Sequence, residues 1–300
     1  MKTLRYVITV AILFGLIAAP SMAAAKTVKI GVLAKNGPVK ALKMWKATGE
    51  YLNGKLAGHT FEIIPLGFDA VNPAIDKEAV DFFLVNSSMF VTAKVRYGAS
   101  AIATMINSRQ GMPLKAFGGV IIASADNDAV NGFADLKGKT FMAVKKSSFG
   151  GWQMAYKELL DAGLDPFNDF SKLEFGGKHD NVVLAIQNGA VEGGTVRTDT
   201  LERMAAAGVI DMEEFKVLGT KNHNGFPFVC STALYPEWPL AKVKGTPDAL
   251  ARKVADVLKT LKPEGAAAKN AKIVGWVDAL DYQPVEELQK KLKVGAYAAM

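Results

Sequence analysis

The sequence has few cysteines and histidines, the residues that form the disulfide bonds of many exported proteins and that bind many metal ions. Among its 300 residues there are one cysteine, Cys230, and three histidines. A single thiol cannot form a disulfide within the chain, so hydrophobic cores have to stabilise the fold. The histidines, His59, His179 and His223, are too far apart for the HxxxH or HExxH spacing of zinc sites. We therefore expect neither a metal nor a cofactor.

Motifs of common enzymes and of nucleic-acid-binding proteins are missing as well. The sequence contains no GxSxG elbow, no GxxxxGK[ST] phosphate loop and no GxGxxG turn after a strand. Its formal net charge is +7, and the lysines are scattered instead of forming a basic stripe interleaved with aromatic residues. The sequence therefore predicts a protein that is not an enzyme and does not bind nucleic acid.

The N-terminus has the pattern of a cleavable secretory signal peptide. Two cations, Lys2 and Arg5, precede an uncharged apolar stretch at 6–19, which a proline and several small residues follow. The stretch is short for a membrane-spanning helix, although an uncleaved anchor is the alternative interpretation. Cleavage after Ala23 or Ala25 fits the small residues there. Loss of the two cations lowers the net charge to +5.

Strand-like apolar runs alternate with helix-like segments along the rest of the chain. This alternation predicts an α/β protein with parallel strands, and the pattern starts again after the apolar run FGGVIIAS. The last two strands are predicted at 215–218 and 228–234. Two α/β lobes would leave a cleft between them, where small ligands usually bind. The predicted units are a signal peptide at 1–25, a discontinuous first lobe at 26–118 and 222–300, and a second lobe at 119–221.

The segment KKSSFGG at 145–151 is a candidate anion site. It lies between a predicted strand and a predicted helix, where unpaired backbone N–H groups and the helix dipole favour negative charge. Ser147 or Ser148 would begin the helix, and Gly150 would leave the first-turn amides open. The alternative is that Ser148 only caps its own helix, as serines often do.

Two further polar segments follow predicted strands of the second lobe. His179 could donate a hydrogen bond to an anion, or it could simply be solvated beside a helix cap. Arg197 could bind an oxyanion through two parallel hydrogen bonds, with Thr198 and Asp199 available for hydroxyl or amine groups. The alternative for Arg197 is a surface salt bridge with Asp199 or Glu202.

The first lobe offers Asn86, Ser87 and Ser88, which follow a predicted strand at the start of the next helix. Polar groups at the carboxyl ends of strands meet at one edge, so all these segments would converge on a single cleft. A different function is also open, in which Cys230 serves a thiol-dependent periplasmic enzyme or redox sensor. Its position in an apolar run favours a small buried hydrophobic residue instead.

Several longer motifs occur in a characteristic order: KIGVL, DFFLVNSSMFV, FADLKGKT and GGKHDNVVLAIQNGAVEGGTV. Through them the chain resembles the phosphate-, phosphite- and phosphonate-binding proteins of ABC importers, which have the type 2 periplasmic-binding fold. Through VRTDTLERMAAAGVI and DYQPVEELQKKLKVGAY it is more similar to the periplasmic sensor modules of histidine kinases, including tetrathionate-sensor-like ones. The resemblance implies a monomeric periplasmic solute-binding protein that captures a small oxyanion for a membrane permease or a sensor kinase.

The sensor modules are normally followed by a transmembrane helix and kinase domains, whereas this sequence ends at Met300, so we expect any signalling to need a separate partner. The resemblance also assigns ligand contacts. In the family, helix-start residues and a histidine contact the anion, and acidic residues bind an amino group. The matching positions are Ser147, Ser148, Gly150, His179, Asp199 and Glu192. A first-lobe tyrosine of the phosphonate binders is Phe90 here, which argues against phosphonate itself, and the VRTD stretch suggests a sulfur oxyanion.

Overall fold

The computed structural model describes residues 25–298, so the predicted signal peptide lies almost entirely outside the described residues. The strands belong to two large sheets and one short two-stranded sheet. They are β1 Lys26–Leu33, β2 His59–Leu66, β3 Phe82–Leu84, β4 Ser100–Arg109, β5 Met112–Leu114, β6 Ala116–Phe117, β7 Gly119–Ser124, β8 Thr140–Ala143, β9 Lys172–Phe175, β10 Gly193–Arg197, β11 Phe215–Leu218, β12 Tyr235–Pro236, β13 Pro239–Lys242 and β14 Ile273–Val277.

The helices alternate with these strands over much of the chain. They are α1 Pro38–Asn53, α2 Phe68–Asp76, α3 Ser87–Tyr97, α4 Met154–Asp161, α5 Pro166–Asp169, α6 His179–Gln187, α7 Thr200–Ala206, α8 Asp248–Lys259, α9 Ala266–Ala271 and α10 Gln283–Leu292. A π-helical turn at Phe149–Gln153 runs directly into α4, and short 3₁₀ turns lie at Ala134–Leu136, Met212–Glu214 and Gly295–Tyr297. Between residues 25 and 298, no helix has both the length and the hydrophobicity to cross a bilayer.

The first large sheet has the order β14-β4-β13-β3-β1-β2, with β5 paired to β4. Strand β1 runs parallel to β2 and β3, whereas β13 and β14 are antiparallel to their neighbours. Trp45 of α1, Leu258 of α8 and Ala268 of α9 pack on one face of this sheet. Helices α2, α3 and α10 cover the other face, with Phe90 and Leu288 among the buried residues. Both faces are therefore buried under helices.

The second sheet has the order β11-β7-β10-β8-β9. Strands β8, β9 and β10 are parallel, and β7 is antiparallel to both of its neighbours. Helices α6 and α7 pack on one face through Val182, Ile186 and Leu201. Helix α4 and the 3₁₀ turn that contains Leu136 pack on the other. Each sheet thus contains antiparallel pairs that the simple alternation of strands and helices does not predict.

The two large sheets are connected by β6 and β12, which lie side by side as an antiparallel pair with Phe117 opposite Tyr235. Phe149 contacts both rings edge to face, with centroids 6.0 Å and 5.1 Å away. These three rings belong to the same core as α2, α3 and α10. The connection between the sheets is therefore a pair of short strands stiffened by aromatic packing.

The segment at 228–234, predicted as a strand, is not one. Ser231 Oγ and Thr232 Oγ1 accept hydrogen bonds from the backbone N–H groups of Ile121 and Gly119, each 2.9 Å long. The segment meets only the start of β7, at and beyond the last residue that pairs with β11, and besides these side-chain bonds it makes one backbone hydrogen bond to β7, from the Ser231 N–H to the Gly119 carbonyl at 2.9 Å. An apolar pattern does not distinguish such a contact from a regular strand. Because this segment contacts the second sheet, we propose that the second lobe extends past its predicted end at 221 to the β12 connection.

Candidate functional site

A buried ionic cluster lies where β10 ends beside the connection between the sheets. Arg197, the last residue of β10, is 7% exposed. Its Nη2 donates to Glu237 Oε1 at 2.5 Å, and its Nε lies 3.4 Å from Asp199 Oδ1. The guanidinium carbon lies 4.1 Å from the centroid of the Phe117 ring. The sequence offered ligand binding or a surface salt bridge with Asp199 or Glu202 for Arg197, and the structure shows a buried ion pair with Asp199 and Glu237.

Glu237 follows β12 and has no exposed surface. Besides Arg197, its carboxylate accepts hydrogen bonds from Asn107 Nδ2 at 2.9 Å and from the backbone N–H of Trp238 at 3.3 Å. Burial acts to raise the pKa of this carboxyl group, but Arg197 and the hydrogen bonds hold the pKa below its ordinary value. Glu237 is therefore a fully buried carboxylate whose charge is balanced chiefly by Arg197.

The side chain of Asp199 connects this cluster to the first sheet. Asp199 precedes α7 in the left-handed region, with φ 72°, and its side chain does not cap the helix. Its Oδ2 lies 3.3 Å from Nη1 of Arg109, the last residue of β4. The Nε of Arg109 is buried and has no hydrogen-bond partner within residues 25–298. Since β4 belongs to the first sheet and Asp199 follows a strand of the second, this ion pair spans the two.

His179, the first residue of α6, contacts the same region. Its Nδ1 accepts a hydrogen bond from the backbone N–H of Arg197 at 3.1 Å. Burial and the charges of Lys35, Arg197 and Arg109 lower the pKa of His179 to about 3. The ring is therefore neutral at physiological pH, and since Nδ1 is the acceptor, the proton is on Nε2. His179 thus offers one N–H donor without a formal charge.

Lys35 adds a third cation. It lies in the tight turn between β1 and α1, which a hydrogen bond from the Gly37 N–H to the Ala34 carbonyl closes at 3.0 Å. Its Nζ lies 4.9 Å from the centroid of the Trp238 ring. The residue reaches solvent, yet protein surrounds it closely enough that partial burial and the charge of Arg109 lower the pKa of Lys35 to about 7. Among the three cations, Lys35 is the most exposed.

The cluster as a whole has more positive than negative groups. Lys35, Arg109 and Arg197 face two carboxylates, those of Asp199 and Glu237. With Lys35 protonated, one positive charge is in excess, and the neutral His179 supplies a further donor. Such a concentration of cations and N–H donors in a partly desolvated site favours a small oxyanion.

The predicted helix start at 147–151 is packed more tightly than its sequence suggests. Ser148 Oγ accepts from the Gly151 N–H at 3.2 Å, which is the capping geometry that the alternative interpretation expected. A β-carbon on Gly150 would lie 2.8 Å from Phe117 Cε2 and 3.3 Å from Arg197 Cβ. The glycine therefore makes room for these two side chains. The carbonyl of Ser147 accepts from Asn86 Nδ2 at 3.3 Å.

Three other predicted hydroxyl groups bind the protein itself. Ser87 Oγ donates at 2.6 Å to a carbonyl of β12. Ser88 Oγ accepts from Gln289 Nε2 at 2.7 Å, and Thr198 Oγ1 accepts from the Gly118 N–H at 3.2 Å. Ser87 thus joins α3 to β12, Ser88 joins α3 to α10, and Thr198 joins the end of β10 to the residue that follows β6.

Glu192 does not join the other predicted residues. It precedes β10, whereas Arg197 ends this five-residue strand, so about 16 Å of extended chain separates them. Its Oε2 accepts from the Thr140 N–H at 2.8 Å, and its Oε1 lies 3.4 Å from Lys139 Nζ. The prediction of Glu192 as a cleft residue is corrected accordingly, because it lies at the amino end of its strand.

Cys230 is 1% exposed, and its thiol donates to the Thr232 carbonyl at 3.3 Å. Burial raises the pKa of the thiol. A buried, protonated thiol is a poor nucleophile, so this geometry gives no support to the thiol-dependent alternative.

Lys35, Arg109 and Glu237 escaped the sequence interpretation. Arg109 is the last residue of β4, a segment of mixed composition that was not predicted to be a strand. Lys35 lies in a turn whose sequence contains no motif that indicates ligand binding. Glu237, a charged residue in the otherwise apolar run LYPEWPL, was the one local signal, because a carboxylate in such a run needs a buried partner.

Comparisons with known proteins agree with this architecture. A family model described as "ABC transporter, phosphonate, periplasmic substrate-binding protein" matches residues 30–283. The tetrathionate sensor histidine kinase of Salmonella typhimurium is 31% identical over 234 residues, which are 78% of this chain and 39% of that protein. The chain thus spans about two fifths of the length of this relative.

Solved structures show the same fold. PhnD1 of Prochlorococcus marinus, in complex with methylphosphonate, superposes with a TM-score of 0.69 at 17% identity, covering 90% of this chain and 99% of that one. A binding protein of an ABC phosphonate transporter from Pseudomonas aeruginosa gives 0.67 at 17% identity, covering 88% and 86%. The type 2 periplasmic-binding fold predicted from the sequence is confirmed.

Proposed function

The chain belongs to the family of periplasmic substrate-binding proteins of phosphonate ABC transporters, and from this premise we propose that it captures a small oxyanion between its two sheets. Proteins of this family act in the periplasm as binders of a substrate. The observation that carries the proposal is the cluster of Lys35, Arg109 and Arg197 with the neutral donor His179. Cations and N–H groups from both sheets meet there, and the carboxylates present only partly balance them.

Several contacts hold the two sheets together around this cluster. The Arg109–Asp199 ion pair and the hydrogen bond from Asn86 to the Ser147 carbonyl join the first sheet to the second. An anion among the cations would add attraction on both sides, so it would favour this closed arrangement over an open one. Ligand binding would thereby shift the population toward the form that a partner recognises.

The chemistry of the ligand follows from the donors and from the relatives. Phosphonate is bound by a structural neighbour, and tetrathionate is sensed by the related kinase, so we propose a phosphorus or sulfur oxyanion. Phe90 is buried against Tyr282, with ring centroids 4.9 Å apart, and supplies no hydroxyl for a phosphonate. This difference favours a sulfur oxyanion.

The partner would be a membrane protein, either the permease of an ABC importer or a sensor kinase. Membership in the transporter family supports the permease, and the sensor relative supports the kinase. We propose that the protein acts as a monomer, exported by the signal peptide at 1–25 and presenting its closed form to that partner.

The test is a ligand panel on the purified protein, with methylphosphonate, phosphate, sulfate, thiosulfate and tetrathionate. Binding to the folded state alone stabilises it by about 2.7 kcal/mol at a ligand concentration of 100 Kd, so at least one compound should raise the melting temperature clearly. Arg109→Gln should abolish that increase. Arg252→Gln, which removes an exposed arginine of α8, is the matched control and should leave it unchanged. The proposal fails if no oxyanion stabilises the protein, or if Arg109→Gln binds as well as the control.

A further inference from the structure

Both carboxylates of the cluster are already engaged by arginines. Glu237 accepts from Arg197, from Asn107 and from a backbone N–H. Asp199 lies 3.3 Å from Arg109 and 3.4 Å from Arg197. Each guanidinium is correspondingly committed to at least one carboxylate. The acidic position that the family resemblance assigned to binding an amino group is thus occupied by protein cations.

Lys35 differs from the two arginines. Within residues 25–298, no carboxylate oxygen lies within 4.0 Å of its ammonium group, and its side chain reaches solvent. The turn that closes at Gly37 fixes its backbone, and the Trp238 ring lies against its ammonium group. Lys35 is therefore a positioned cation beside the buried cluster, with its charge available to a ligand.

The inference drawn from these contacts deepens the proposed function and rests on it. We infer that Lys35 contacts the ligand directly and determines specificity, because its charge makes the site prefer oxyanions that carry no cationic group over those that also carry an ammonium group.

The physical reason is charge balance in a partly desolvated site. An ammonium group on the ligand would need a carboxylate or several acceptors to replace its water. It would find both carboxylates taken and a like charge on Lys35, which disfavours it. A simple oxyanion instead gains a charge-assisted hydrogen bond from Lys35.

Two ligand pairs test the inference on the unmodified protein. Ethanesulfonate is compared with aminoethanesulfonate, and ethylphosphonate with aminoethylphosphonate, by titration calorimetry at pH 6, where Lys35 is protonated. Within each pair the members differ by one amino group. The member without it should bind about tenfold more tightly or better. Equal affinities, or tighter binding of the amino compounds, would overturn the inference while leaving the proposed function intact. Failure of all four compounds and of the inorganic oxyanions would overturn both.

Variants of Lys35 then show whether this residue causes the preference. Lys35→Met keeps an unbranched side chain against Trp238 but removes the charge, so the preference within each pair should shrink to about twofold or less. Lys35→Arg should keep most of it. Lys40→Met removes an exposed lysine of α1 and should change nothing. A purely structural role for Lys35 would weaken both members of a pair alike, and an unchanged ratio in Lys35→Met would therefore refute the inference.

Discussion

Two regions beside the end of the second sheet differ in how their polar groups are used. The helix start at 147–151 has serines and glycines that suggest a binding loop, but its one capping bond is local and its glycines make room for neighbouring side chains. The cluster of Lys35, Arg109, Arg197, Asp199 and Glu237 has no local motif, yet it collects the charges. The motif at 147–151 therefore corresponds to a helix cap. The charged groups that could bind an anion are distant in sequence and are brought together only by the fold.

The difference is one of sequence distance. Ser148 and its partner Gly151 are three residues apart. Arg197 and Glu237 are 40 residues apart, and Arg109 and Asp199 are 90 residues apart. Local hydrogen bonds follow from residue type and spacing, while ion pairs between distant elements depend on how the sheets are connected. If the two regions have these different roles, substitutions in the cluster and in the helix start should differ in their effects on stability and on binding.

The largest expected effect is on stability, from Glu237→Gln. The amide keeps the shape of the side chain but leaves the buried Arg197 with Asp199 alone, so unfolding free energy should fall by about 3 kcal/mol. Urea denaturation followed by tryptophan fluorescence measures this change. Glu192→Gln is the matched control, since its pair with Lys139 is partly exposed and should contribute less than about 1 kcal/mol. Equal losses in the two variants would show that the cluster is no more important to folding than an ordinary surface pair.

A smaller effect is expected from Gly150→Ala in the helix start. The added β-carbon would lie 2.8 Å from Phe117 Cε2, so overpacking should cost about 1–3 kcal/mol of stability. Ser148→Ala, which removes the cap, should cost about 1 kcal/mol. Gly54→Ala is the control, because its β-carbon would meet only ordinary contacts at 3.6 Å and beyond. If Gly150→Ala were as stable as the control but lost ligand affinity, the helix start would be the anion site after all.

Much of the fold could be predicted from the sequence, because many helices and strands have an apolar pattern or a capping residue within their own segment. Strand β1 and helix α8 have clear apolar periodicity, and Asn86 lies at the start of α3, where its side chain accepts from the Met89 N–H. Strands β4 and β14 escaped because their burial depends on neighbours far along the chain. At the site, His179, Arg197 and Asp199 were predicted and do meet, since they share one end of the second sheet. Lys35 and Arg109 could not be predicted, because nothing local indicates that β1 and β4 carry them to that end.

Binding at the cluster should depend on pH through Lys35. The charged and titratable groups that face Lys35 are Arg109 from β4, Arg197 from β10, Asp199 before α7, Glu237 after β12 and His179 from α6. Arginines keep their charge throughout the physiological range. The pKa of His179 is lowered to about 3, and that of Glu237 lies below its ordinary value. Lys35, with its pKa lowered to about 7, is the group of this set that changes charge near neutral pH.

Affinity should therefore fall as pH rises, if the cluster and not the helix start holds the anion. Below pH 7 Lys35 is protonated and attracts the ligand, and above it the free protein loses that charge. With ethanesulfonate, whose own charge is constant there, binding should be about tenfold weaker at pH 8 than at pH 6, because one proton is taken up with the anion. Lys35→Arg, which stays charged, should bind nearly independently of pH. Neither backbone N–H groups nor arginines change charge in this range, so a flat profile in the unmodified protein would contradict a direct contact between Lys35 and the anion.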